Sequence, residues 1–126
     1  MRQVTTDNDL QKQFDEDGFF ILPNFLEPFE IENLREFYQS QPSDLKQGFH
    51  ATLHSNLTDY RQRVSDRIAE TFTPKATKTL KDYRPVFANY TVKEPDENSG
   101  FDLHLDWSMV DEKQFSSITI WVPLQD

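Results

Sequence analysis

The apolar positions change period once along the chain, close to residue 82. Before that point they recur three and four apart, the spacing of one helix face; beyond it they alternate, the spacing of a half-buried strand. Asp7 stands at a helix cap position, Leu10 and Phe14 follow four apart and Gly18 supplies a stop, so 7–16 reads as a short amphipathic helix. Phe19 to Leu22 form a brief β-prone run closed by Pro23 and Asn24. Pro28 is tolerated in a first helical turn, and Ile31, Leu34 and Tyr38 place a second helix over about 28–40. Residues 41–56, punctuated by Pro42 and Gly48, read as loop with room for one helical turn. Val64, Ile68 and Phe72 mark a third helix. Pro74 is expected to interrupt it, leaving 75–82 as a separate turn or short helix.

Three segments then carry the alternation. In 83–93, Val86, Ala88, Tyr90 and Val92 share one face, with Phe87, Asn89, Thr91 and Lys93 on the other. Residues 94–100, "EPDENSG", have turn composition. In 101–107, Phe101, Leu103, Leu105 and Trp107 oppose Asp102, His104 and Asp106, and in 116–126 Ile118, Ile120 and Val122 oppose Ser117, Thr119 and Trp121. The layout is a single domain over 1–126, mainly helical over 1–82 and stranded over 83–126. Its class is α+β, or the opening of a β-barrel with helices packed outside. The last strand is expected to present an unpaired apolar edge, which marks the chain as an incomplete piece and predicts self-association through that edge.

Composition narrows the partners. Thirteen Lys and Arg against twenty-two Asp and Glu give a formal net charge of -9, which repels the phosphates of nucleic acids and anionic membrane surfaces. Cysteine is absent, so disulfides, zinc-thiolate sites and iron-sulfur clusters are excluded. No run approaches the eighteen apolar residues of a membrane span. A soluble, cytoplasmic protein acting on a small molecule is the expectation, and seventeen aromatic residues, eleven of them Phe, argue for a folded one.

The candidate chemistry lies in "DLHLDWS", 102–108. A histidine and a carboxylate two apart on a strand point to one side and can share a metal ion; imidazole plus carboxylate suits Fe(II) in a 2-His-1-carboxylate site. So short a spacing arises by chance about 0.3 times in this composition and decides nothing alone. The neighbourhood adds weight: the polar strand faces also carry Trp121 and Phe87, which suit a wet cavity better than bulk water. His50 and His54 are the only other histidines; "HATLH" would present both on one face if helical but lacks the glutamate of a zinc hydrolase motif. A metal-free acid-base pair of Asp106 and His104 has no nucleophile pattern beside it.

Taken together, "DGFFILPNFL", "FANYTVKEPDENSGFDLHLDWSMVDE" and "SITIWVPLQD" resemble the N-terminal half of the phytanoyl-CoA dioxygenase-like group of Fe(II)/2-oxoglutarate-dependent oxygenases. The resemblance implies a double-stranded β-helix, the jelly-roll barrel, with helices supporting one side. It implies that His104 and Asp106 are the first two iron ligands, with no catalytic residue beyond them in this chain. Asn89 and Trp121 would line the pocket of the co-substrate 2-oxoglutarate, and Lys93 would sit at the barrel mouth. That group often has Gln between the ligands, where this chain has Leu105. The second histidine ligand and the arginine that pairs with oxoglutarate lie, in that group, on later strands with no counterpart among these 126 residues. The alternative expectation is a non-catalytic half-barrel that assembles through its last strand.

Overall fold

The structure, a computed structural model, describes residues 2–45 and 47–126. Its elements run α1 (Asn8–Asp17), α2 (Pro28–Ser40), β1 (Phe49–Ala51), one 3-10 turn (Thr52–His54), α3 (Thr58–Thr79) and β2 (Thr91–Lys93). Among the described residues the class is mixed helix and strand, with three α-helices and one two-stranded antiparallel sheet that does not close.

The first two helices form where caps and stops define them. The Asp7 carboxylate accepts from the amides of Asp9 and Leu10 at 2.9 and 3.1 Å, and Gly18 ends α1 in the left-handed conformation at φ 81°. Pro28 opens α2, and the Glu30 carboxylate accepts from the Glu27 amide at 2.7 Å. Helix α3 departs from expectation because Pro74 lies inside it without ending it. Pro74 is exposed, as is Glu70, whose carbonyl loses its partner, so water can take that bond. The Thr77 hydroxyl further donates to the carbonyls of Thr73 and Pro74 at 2.9 and 3.3 Å.

The core is where α2 and α3 meet the β2 segment. Leu26, Leu34, Tyr60, Val64, Ile68 and Tyr90 form it, with Ala88, Val92, Val122 and Leu124 packed at its margin. Tyr90 is the pin: its hydroxyl donates to the Leu34 carbonyl at 2.8 Å and its amide to the Thr52 hydroxyl at 2.9 Å. One face of 88–92 is therefore turned to the helices, as the alternation predicts. At Val86 the pattern fails, since that side chain is exposed.

The strand reading needs correction elsewhere. Residues 41–56, read as loop, contain β1, which pairs with β2 in the register Phe49↔Lys93, His50↔Val92 and Ala51↔Thr91. Phe19 to Leu22 form no strand, and of 83–93 only Thr91–Lys93 joins a ladder. Residues 101–107 and 116–122 form no ladder among the described residues. Leu103, Leu105 and Trp107, expected to pack outward on a supporting layer, are 104%, 90% and 90% exposed, with no such layer among the described residues. No helix there is long and apolar enough to cross a membrane.

Candidate metal site

Because opposed residues of an antiparallel pair point to the same side of the sheet, Phe49 and Lys93 share the face turned away from the helices. The intervening pair, His50 and Val92, faces the core. Gly48 sets up this edge. It holds φ at 65°, its amide donates to the Asp96 carboxylate at 2.9 Å, and its carbonyl accepts from the Glu94 amide at 3.1 Å. The Phe49 amide donates to the Asn98 carbonyl at 3.2 Å, so loop 94–100 is stitched to the start of β1. A Cβ at Gly48 would stand 2.8 Å from that same carbonyl oxygen, and only glycine fits.

The loop delivers Phe101 onto Phe49, with ring centroids 4.1 Å apart and 24° between planes. The His104 imidazole meets Phe101 edge to face at 4.3 Å and 82°. The Lys93 ammonium, paired across the ladder with Phe49, lies 5.9 Å from its ring centroid. Lys93, Phe49, Phe101, His104 and Asp106 thus form one file of contacts on the open face of the sheet.

The chemistry at its end follows from hydrogen-bond roles. His104 Nδ1 lies 2.9 Å from the Asp102 carbonyl oxygen, which can only accept, so Nδ1 carries the proton. In the neutral imidazole Nε2 then presents a lone pair, and 3.3 Å away stands Asp106 Oδ1, a second acceptor. Two acceptors facing each other need a cation between or beside them, either a proton or a metal ion. Two donors each about 2.1 Å from one ion and at right angles would stand about 3 Å apart, close to the observed separation. A backbone carbonyl holding the remote ring N–H is also the usual support of a ligating histidine. The side chains are 48% and 65% exposed, so a ligand can reach them.

Of the residues singled out from sequence, His104, Asp106 and Lys93 fall in this file, and Asn89 precedes Lys93 by four positions on the same alternating face. Trp121 lies outside it, 72% exposed in the final segment. Asp102 serves through its carbonyl and not its carboxylate. The "HATLH" pair is not helical: His50 lies on β1, buried, with Nε2 3.3 Å from the Tyr38 hydroxyl, while His54 is exposed at the end of the 3-10 turn. Among the described residues no group of three or more His, Asp or Glu is placed to hold a metal ion.

Comparison with known proteins adds no relative. No family model, curated protein or solved structure matches the chain. The file of Lys93, Phe49, Phe101, His104 and Asp106 carries the functional reading. Phe49 and Phe101 are the members that sequence reasoning missed. The only signal for Phe49 was its place after Gly48, and its partner lies about fifty residues on.

Proposed function

We propose that the chain is part of an Fe(II)/2-oxoglutarate-dependent oxygenase of the phytanoyl-CoA dioxygenase-like type, acting on a small molecule, with His104 and Asp106 as two ligands of the iron. The observation that carries this is the facing of His104 Nε2 and Asp106 Oδ1 at 3.3 Å with the imidazole tautomer set by the Asp102 carbonyl. The placement of the helices on one face of β1 and β2, with the file on the other, supports a jelly-roll barrel whose wall is begun here. The absence of cysteine suits a reducing, cytoplasmic setting.

Bound iron would supply the coupling of 2-oxoglutarate decarboxylation to hydroxylation of a second substrate. This chain's part is narrower. His104 and Asp106 hold two positions of the ion, Asp102 keeps the imidazole proton off Nε2, and Lys93 and Asn89 offer a cation and an amide on the same face for an acidic co-substrate; Trp121 would close the pocket from the last segment. Among the described residues no third His, Asp or Glu stands beside the pair. The test is an anaerobic Fe(II) titration by calorimetry: one weak site, lost in His104→Ala and in Asp106→Ala, and weaker in acid because both donors must be deprotonated. Equal uptake by wild type and both variants would overturn the assignment. No succinate is expected from the 126 residues alone.

A second reading is a non-catalytic half-barrel that pairs through its last strand, 116–122, with another copy or another chain; one observation, away from that strand, favours assembly. The apolar side chains of Leu103, Leu105 and Trp107 are at least nine-tenths exposed, an arrangement typical of interaction surfaces.

A further inference from the structure

Residues 101–110 carry the two candidate ligands yet, among the described residues, no hydrogen bond joins them to any other part of the chain. A free strand of that kind would let the half-exposed His104 ring turn about two side-chain torsions and exchange its proton between nitrogens. The tie to the sheet is aromatic. Phe101 is stacked on Phe49, whose backbone is fixed by the β1–β2 ladder and by the Asn98 carbonyl, and the His104 ring meets Phe101 edge to face. The geometry points to Phe101, seated on Phe49, as the positioning residue that holds the His104 imidazole with Nδ1 on the Asp102 carbonyl and Nε2 toward Asp106.

The edge-to-face contact, 4.3 Å between centroids and 82° between planes, limits how far the imidazole can swing, since a positive ring edge is drawn to a negative aromatic face. In the orientation this contact supports, Nδ1 lies 2.9 Å from the Asp102 carbonyl oxygen and Nε2 3.3 Å from Asp106 Oδ1. Phe101 touches neither metal nor substrate; it acts through His104. Its effect on the ring's proton stands independently, whereas its effect on metal affinity rests on the oxygenase reading.

The test separates the two. In the metal-free chain labelled with 15N-histidine, long-range proton–nitrogen spectra at neutral pH are expected to show a proton held on His104 Nδ1 in a single ring form. Phe101→Leu, at a half-exposed site where the fold is not at stake, is expected to give a mixture of tautomers, and Phe101→Tyr to restore the single form. Phe49→Leu, which removes the seat and leaves Phe101 in place, should act like Phe101→Leu. An unchanged tautomer in both leucine variants would overturn the positioning role. Co(II) titration followed by visible absorption is the second arm. Affinity should fall about 3- to 10-fold in Phe101→Leu, the equivalent of one aromatic pair, and recover in Phe101→Tyr. A tautomer that responds as expected in a wild-type chain that binds no Co(II) would support the positioning role and overturn the metal reading.

Discussion

Three tyrosines near the core show how one atom decides the sign of a substitution. The Tyr90 hydroxyl spends its proton on the Leu34 carbonyl at 2.8 Å, so Tyr90→Phe should cost about 1 kcal/mol, the net worth of a buried hydrogen bond. The Tyr60 hydroxyl is as deeply buried, in a residue 0% exposed, but has no partner among the described residues. Tyr60→Phe should therefore be neutral or stabilising by up to about 1 kcal/mol, because the cost of burying an unpaired hydroxyl is removed. Urea unfolding of the two variants side by side checks both; equal loss in each would contradict the contrast. Burial also raises the pKa of Tyr90, by a large margin, and of Tyr38. A raised native pKa means the folded chain holds the proton more tightly, so that stability is complete below about pH 10 and drains as pH rises past it. At the acid end Asp44 behaves oppositely. The Ser55 hydroxyl first and the Asn56 amide next hold its carboxyl below the usual range, so its contribution is present above about pH 4 and is lost as pH falls further. A midpoint-against-pH curve should fall at both ends, with the acid limb shallower in Asp44→Asn and the alkaline limb shallower in Tyr90→Phe.

Among the elements, α3 carries a proline that its packing overrides. An interior proline disfavours a helix by about 3 kcal/mol relative to alanine, and part of this returns through a stiffer unfolded chain. Pro74 is exposed and makes no core contact of its own, so Pro74→Ala should raise stability by about 1 to 2 kcal/mol, read as a higher urea midpoint with unchanged slope. Unchanged or reduced stability would contradict the reading that Pro74 is carried at a cost to α3. The same contrast between local signal and tertiary context explains what the sequence disclosed. Helices α1 and α2 were legible because Asp7, Gly18 and Pro28 act within a turn of where they stand. Strand β1 was not, because Phe49–Ala51 is three residues long and becomes a strand only through Thr91–Lys93, some forty residues later. Alternation over 101–107 set Phe101 opposite His104, yet the two rings touch, because without a ladder nothing holds the segment to alternating faces. For the same reason His104 and Asp106 were readable as a pair two apart, while the aromatic seat that steadies them, built from Phe49 and Phe101, was invisible to spacing.

At the scale of the whole molecule two tendencies oppose each other. A net charge of -9 drives copies apart, and the apolar row of Leu103, Leu105 and Trp107 in water draws them together. Salt separates the terms: the screening length falls from about 10 Å at 0.1 M to about 3 Å at 1 M, while apolar burial is untouched by screening. If the row is a docking surface, association should strengthen as salt rises, the reverse of an interface held by ion pairs. Sedimentation velocity at low and high salt is the measurement, with a larger weight-average coefficient expected in high salt and a concentration dependence at both. Leu105→Asp places a charge at the centre of the row without touching the core, since the native side chain is 90% exposed. It should return the chain to monomer at every salt concentration with its circular dichroism unchanged. A wild type that stays monomeric throughout would remove self-association through this row. The oxygenase reading would stand apart from that outcome, since it needs the apolar row covered by further barrel wall and not by a second copy of this chain.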